Sequence, residues 1–183
     1  MSSRPSRSEV LRTEDLSAAV RRSVIDLCVA AHDNTEFEKM FTVFIASGGR
    51  HFLVYADHLL VSHAVVTTRW AQPEGRPELT TAYVDAVSTH PSHQHMGYGS
   101  QVMRDLAHGI DEFEIACLQT DLRGFYERLG WELWRGPLAG RGDDGLIPTP
   151  DQRGVMVLAL PRTPALDLDA LLTIEQQPTR IWE

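Results

Sequence analysis

The chain has 183 residues, of which 43% are hydrophobic and 23% charged, the balance of an ordinary globular protein with enough length to fill a core. Its formal net charge of −8 excludes the broad basic face that nucleic-acid phosphates demand, and no apolar run reaches the roughly 20 residues of a bilayer-spanning helix. Neither nucleic acid nor membrane is expected as a partner, and an acidic surface suits a cationic ligand as well as plain solubility.

The N-terminus, MSSRPSRSEV, is polar and lacks the apolar stretch of a secretory signal; residues 1–8 read as a loose tail. Val20, Val24, Leu27, Cys28 and Ala31 then recur at helical spacing, with Ser17 placed to cap them. Phe37, Met40, Phe41, Phe44 and Ile45 repeat the pattern until Gly48 and Gly49 stop it, and the connector HDNTEFE between the two helices is acidic. The stretches RHFLVYA and LLVSHAVVTTRW, rich in β-branched and aromatic residues, meet at a tight ADH turn and predict a hairpin. A third strand, ELTTAYVDAVSTHP, runs into a helix whose stripe is Val102, Met103, Leu106, Ala107, Ile110 and Phe113. The strand EIACLQT, the short helix DLRGFYERLG closed by Gly130, and a strand in WELWRG follow. Residues 136–154 read as a long Gly/Pro/Asp loop before a last strand, VMVLAL, and a tail over 161–183. This order predicts one α+β domain over 1–183, a mixed, mostly antiparallel sheet with helices on its faces. Cys28 and Cys117 both lie in apolar segments, as reduced core residues of a cytoplasmic protein would.

The chemistry turns on STHPSHQHMGYGSQVM, residues 88–103. His90, His93 and His95 offer a zinc site, but no CxxC, HExxH or neighbouring carboxylate completes a ligand set, so no metal is expected. A dinucleotide fingerprint needs a third glycine, and the run Gly97-Tyr98-Gly99-Ser100-Gln101-Val102 lacks it. A glycine loop opening a helix straight after a strand fits better as a pyrophosphate cradle, because backbone N–H groups and the helix dipole both face the anion.

Gln94-x-x-Gly97-x-Gly99 after an apolar strand resembles the acetyl-CoA loop of the GCN5-related N-acetyltransferases, and FYERLGW, 125–131, resembles their second signature. The spacing between the two is also that of the superfamily, and the resemblance covers residues 10–160. The stretches AYVDAVSTHPSHQHMGYG and FYERLGWELWRGP, the Pro/Asp-rich loop near 150 and the tryptophan near the end look like the aminoglycoside 2′-N-acetyltransferases in particular. Three departures accompany the likeness. Asp85 stands where those enzymes carry glutamate, Glu183 extends the chain past the tryptophan, and CLQT replaces a serine-bearing strand.

The resemblance implies acetyl-CoA as cosubstrate, a cationic amino sugar such as an aminoglycoside or kasugamycin as acceptor, and antibiotic resistance as the outcome. It also implies a homodimer, which is common among those enzymes. The cofactor would be held by Val87, Ser88 and Thr89 on the strand, with Gln94, His95, Met96, Gly97, Tyr98, Gly99 and Ser100 in the loop. Asp85, in phase with Tyr83 and Val87 in an apolar strand, is a base acting through water and a cation contact, or else a buried structural hydrogen bond. Tyr126 is the proton donor to the departing thiolate, or a core aromatic beside Phe125 and Leu129. Asp33, Glu36 and Glu38 contact ammonium groups, or form a solvated connector. Trp182 and Glu183 line the sugar, or the tryptophan anchors the tail. The other histidines, His51, His58, His63 and His108, are expected to have no chemistry. Two other readings compete: acetylation of another small amine or a protein N-terminus, and acyl-CoA binding without turnover.

Overall fold

The computed structural model describes residues 6–33, 48–178 and 180–182. They divide into two compact units, one spanning Met1–Thr67 and Val84–Gly109, the other Thr68–Tyr83 and Ile110–Glu183. The expected second helix falls on 37–47, outside the described residues.

The first unit opens on strand β1, Ser6–Arg12, so residues 6–8 belong to a strand rather than a tail. Its burial pattern is almost wholly exposed, and a polar edge strand held by its backbone ladder leaves no hydropathic trace. Helix α1, Ala18–His32, starts where expected, with Ser17 Oγ accepting from Val20 N–H at 3.2 Å. Strands β2, Arg50–Ala56, and β3, Leu59–Pro73, form the hairpin. Asp57 and His58 at its tip both have positive φ, 47° and 70°, which matches the twist of a two-residue turn. Strand β4, Leu79–Thr89, follows. Residues 59–67 of β3 and 84–89 of β4 complete a sheet ordered β1-β2-β3-β4. Val24, Leu27 and Cys28 of α1 pack on Leu53, Leu60 and Val65. The alternate residue Phe52 faces the other way, toward the end of helix α2, Tyr98–His108, where a Cβ on Gly109 would come within 2.8 Å of its ring.

In the second unit, residues 68–73 of β3 and 79–83 of β4 join β5, Ile115–Gln119; β6, Glu132–Leu133; β7, Leu138–Gly142; β8, Gly145–Pro148; β9, Val155–Ala159; and β10, Leu172–Glu175. Their order is β6-β9-β5-β4-β3-β10-β7-β8. The pairs β4/β5 and β10/β7 are parallel; β5/β9, β6/β9, β10/β3 and β7/β8 are antiparallel. Helix α3, Arg123–Glu127, precedes the Gly130 turn. Two expectations are corrected here. The Gly/Pro/Asp stretch contains the hairpin β7–β8, and the tail contributes β10. All three strands are short; β8 is held by the neighbouring β7 across a tight turn, while β7 and β10 pair with each other and β10 with β3, partners distant in sequence. An apolar cluster of Tyr83, Ile115, Cys117, Trp134, Leu172 and Ile174, among others, forms this unit's core. Cys28 and Cys117 are both free and buried. Burial pushes their thiols up to about 11 and about 12, with Ser88 partly offsetting the first. No helix among the described residues is long and apolar enough to cross a membrane.

Candidate functional site

Strand β4 is kinked one residue after Asp85. Ala86 has φ 50°, a left-handed conformation that alanine avoids, and it breaks the alternation of the strand. Asp85, Ala86 and Val87 are half-buried, whereas Ser88 is buried. The Ser88 hydroxyl meets His32 Nε2 at 3.1 Å, the Ala86 carbonyl at 3.2 Å and Cys28 Sγ at 3.4 Å. Its carbonyl accepts from Ser62 Oγ at 2.9 Å, and Ser62 Oγ also lies 2.9 Å from Thr89 Oγ1. These bonds hold residues 86–89 to α1 and β3 from the side chains inward.

The chain then makes a single 3-10 turn, Pro91–His93, and enters the glycine loop. Gln94, His95, Met96 and Gly97 are exposed, and Gln94 Nε2 donates to the Thr89 carbonyl at 3.3 Å. His95 and Gly97 have φ of 61° and 92°. Gly97 is the N-cap of α2 and supplies no side-chain cap, so first-turn N–H groups are left for an external acceptor. Only glycine accepts φ 92° without strain, and that backbone turns the loop around the helix end. Tyr98 is buried, while Gly99 and Ser100 are half-buried. Two of the loop histidines share one exposed hydroxyl: Ser92 Oγ lies 2.8 Å from His90 Nδ1 and 3.0 Å from His93 Nδ1. Among the described residues no group of three metal-ligating side chains occurs.

Asp33 is exposed and caps the C-terminus of α1 in a left-handed conformation, φ 49°. Glu36, Glu38 and Glu183 lie outside the described residues. A cleft of about 320 Å³ in the first unit is lined by Val20, Ser23, Asp26, Tyr55, His58 and His90, among others, and does not include Asp85.

Tyr126 belongs to the second unit. It sits on α3, 6% exposed, edge-on to Phe125 at 4.9 Å and to Trp131 at 6.0 Å. Burial pushes its hydroxyl up to about 12, so it holds its proton throughout the neutral range. Trp182 is 1% exposed, part of the second unit's apolar core, and its carbonyl accepts from the Tyr83 hydroxyl. In this structure the apolar surface of the ring is spent on the core, which favours the second of its two expected roles, anchoring the tail.

Residues 47–133 match the acetyltransferase (GNAT) domain family. Solved structures agree in fold. A protein of Enterococcus faecalis V583 described as a probable N-acyltransferase superimposes with a TM-score of 0.60 at 17% identity, over 71% of this chain and 33% of its own. Eis1 from Mycobacterium abscessus gives 0.59 at 16% identity, over 73% and 33%. The ribosomal-protein-S18-alanine N-acetyltransferase of Escherichia coli gives 0.56 at 15% identity, over 88% and 97%. This chain has the GNAT fold. It spans about a third of the length of the first two of these structures.

Within this GNAT fold, the β4–loop–α2 segment lies inside the matched residues, as does Tyr126. Sequence reading passed over two residues beside the kink. His51 and His63, expected to carry no chemistry, are both fully buried and hydrogen-bonded to one another. The signal was present: His51 alternates in phase with Leu53, and His63 with Val65, so each shares a face with a core residue.

Proposed function

We propose that this chain is an acetyl-CoA-dependent N-acetyltransferase whose acceptor is an amino group of a cationic amino sugar, the 2′-amine of an aminoglycoside or of a kasugamycin-like compound, with resistance as the consequence. The observation that carries the transfer chemistry is the kinked β4 leading into the Gly97 loop, which sets a carboxylate beside a strand turn and opens the uncapped N-terminus of α2 to an anion. Net charge −8 and the exposed Asp33 support a cationic acceptor.

Acetyl-CoA supplies an activated acetyl thioester. The backbone N–H groups at Gly97–Ser100 would hold its pyrophosphate, and residues 87–89 would pair with its pantetheine arm. A backbone N–H near Val87 would support the carbonyl oxygen as charge develops on it. Asp85 takes the proton of the acceptor ammonium through water, which frees the nitrogen lone pair to attack. Tyr126, buried and protonated, would give its proton to the thiolate as the C–S bond breaks, and would recover one from the nitrogen as the amide forms.

The test is thiol release from acetyl-CoA with a panel of amines: aminoglycosides with and without a 2′-amine, kasugamycin, and an alanine-starting peptide, with product masses and acetylation positions. Turnover confined to 2′-amines supports the proposal, and Tyr126→Phe is then expected to lower kcat roughly 100-fold. Turnover of the peptide alone favours a second reading, acetylation of a protein N-terminus. That reading draws on the likeness to the S18-alanine enzyme over 97% of its length. Acetyl-CoA binding with no turnover of any amine overturns both.

A further inference from the structure

Next to the β4 kink the first unit buries two imidazoles for which the reaction above has no use. His51 on β2 and His63 on β3 are each 0% exposed. His51 Nδ1 lies 3.0 Å from His63 Nε2, His63 Nδ1 lies 3.0 Å from the Ala86 carbonyl oxygen, and His51 Nε2 lies 3.1 Å from Thr13 Oγ1.

The hydrogens of this chain are ordered from one end. A carbonyl oxygen only accepts, so His63 Nδ1 must carry the proton. A neutral ring then presents a bare Nε2, which accepts from His51 Nδ1–H. That leaves His51 Nε2 to accept from the Thr13 hydroxyl. The Thr13 hydroxyl also lies 3.2 Å from the Gly49 carbonyl, but that carbonyl already accepts the Thr13 backbone N–H at 2.9 Å, so the one hydroxyl hydrogen is assigned to the ring. Burial keeps both rings neutral, pushing His51 down to about 4 with help from Arg21, and His63 down to about 3 with help from His51. The chain ends on a carbonyl, which cannot take up a proton, so it orients rather than shuttles.

What it orients is a backbone that alanine would not choose unaided. Two donors, His63 Nδ1–H and the Ser88 hydroxyl at 3.2 Å, converge on the carbonyl of Ala86, the residue with φ 50°. Ala86 is covalently flanked by Asp85 and Val87. A strained conformation persists where its surroundings over-determine it, and here a rigid two-ring strut braced on Thr13 does so.

We infer that His63, backed by His51, is a positioning residue: the Thr13–His51–His63 chain locks the Ala86 kink and thereby sets where the Asp85 carboxylate and the Val87 N–H stand for acetyl transfer. The inference rests on the transferase reading of Asp85 and Val87. Two side chains at position 63 isolate the decisive bond. In His63→Asn the side-chain amide reaches the place of Nδ1 and can still donate to Ala86; in His63→Leu bulk remains and the donor is lost. Both leave His51 Nδ1–H equally without its acceptor, so a loss of stability common to the two does not bear on positioning.

The expected result is a kcat reduced roughly 10- to 100-fold in His63→Leu, as a displaced reacting group would give, and largely restored in His63→Asn. Equal kcat in the two variants overturns the inference. Two further readouts need no turnover, so they separate failure of the strut from failure of the transferase reading. The Ala86 Cα and Cβ chemical shifts should keep their left-handed signature in the wild type and in His63→Asn and lose it in His63→Leu; retention in all three overturns the inference. Long-range nitrogen spectra of the wild type should show both rings as the neutral Nδ1–H tautomer at pH 7. An Nε2–H ring at either position overturns it even if both variants fail to fold.

Discussion

The two units bury polar side chains by opposite means. In the first, the buried basic groups among the described residues are imidazoles, which can shed their charge and be joined in series by single hydrogen bonds. In the second, the buried basic group among the described residues is the Arg69 guanidinium, which cannot lose its proton and must be compensated. Arg69 Nε donates to Glu175 Oε1 at 3.0 Å, Nη2 donates to the Glu175 backbone carbonyl, and the guanidinium lies 4.8 Å from the Tyr83 ring centroid. Glu175 Oε2 also accepts from Trp70 N–H at 2.9 Å. Arg69 Nη1 is nevertheless left without a partner among the described residues. A neutral buried pair is inexpensive but vulnerable to acid; a charged buried pair is costly to assemble and indifferent to mild acid.

The largest effect expected from this contrast is at Glu175. Glu175→Ala leaves a fully buried cation with only a backbone carbonyl and the face of the Tyr83 ring, and breaking such a pair from one side costs about 3 kcal/mol, discounted because Glu175 is itself a quarter exposed. Urea unfolding measures it. Arg69→Met in the same chain should recover most of the loss by removing the stranded charge. A Glu175→Ala loss below about 1 kcal/mol would mean that Arg69 is solvated, and the contrast between the units would fail.

Acid should act on the other unit first. Both imidazoles have folded-state pKa values lowered from 6.5, His51 to about 4 and His63 to about 3. Between those values and 6.5 the unfolded chain binds protons that the folded chain refuses, so stability is complete above pH 6.5 and falls as the pH drops toward 4. The slope reaches at most about 1.4 kcal/mol per pH unit for each ring. Unfolding free energies at pH 7, 6, 5 and 4.5 for the wild type and for a His51→Leu/His63→Leu double variant check this. The variant should be less acid-sensitive over that window, whatever its stability at pH 7. Parallel curves would show that the rings are protonated without cost and are not held neutral.

These two buried systems were legible in the sequence to different degrees. Period-two alternation placed His51 and His63 on the face of Leu53 and Val65, but alternation cannot say that two rings on paired strands will meet, because that depends on the hairpin register His51↔Val65 and Leu53↔His63. Arg69 sits in a similarly apolar strand, and its partner comes from β10, 106 residues on, a strand of four residues too short to stand out in the tail. The helix α1 with its Ser17 cap, the hairpin, β4, the glycine loop and α2 were all readable because their signals are local: helical spacing, β-branched runs and glycine at a helix start. The kink at Ala86 was not, since no alanine advertises a left-handed backbone; tertiary hydrogen bonds impose it. Trp182 was legible only as two alternatives, the same ring being suited to a sugar and to a core.

The smallest effect is the one that separates stability from positioning. Ser17 caps α1 through a single bond to Val20 N–H, and Ser17→Ala should cost about 1 kcal/mol. It touches neither ring and no residue of β4. The helix it loosens does carry Cys28, which meets Ser88 Oγ at 3.4 Å and His63 Nδ1 at 4.0 Å, so general softening of the unit would reach the kink by that route. If the strut alone fixes Ala86, Ser17→Ala lowers the urea midpoint while the Ala86 carbon shifts stay at their wild-type values. If those shifts instead drift in proportion to the lost stability, the kink is a property of the packed unit as a whole, and the two imidazoles are filler that happens to be well bonded.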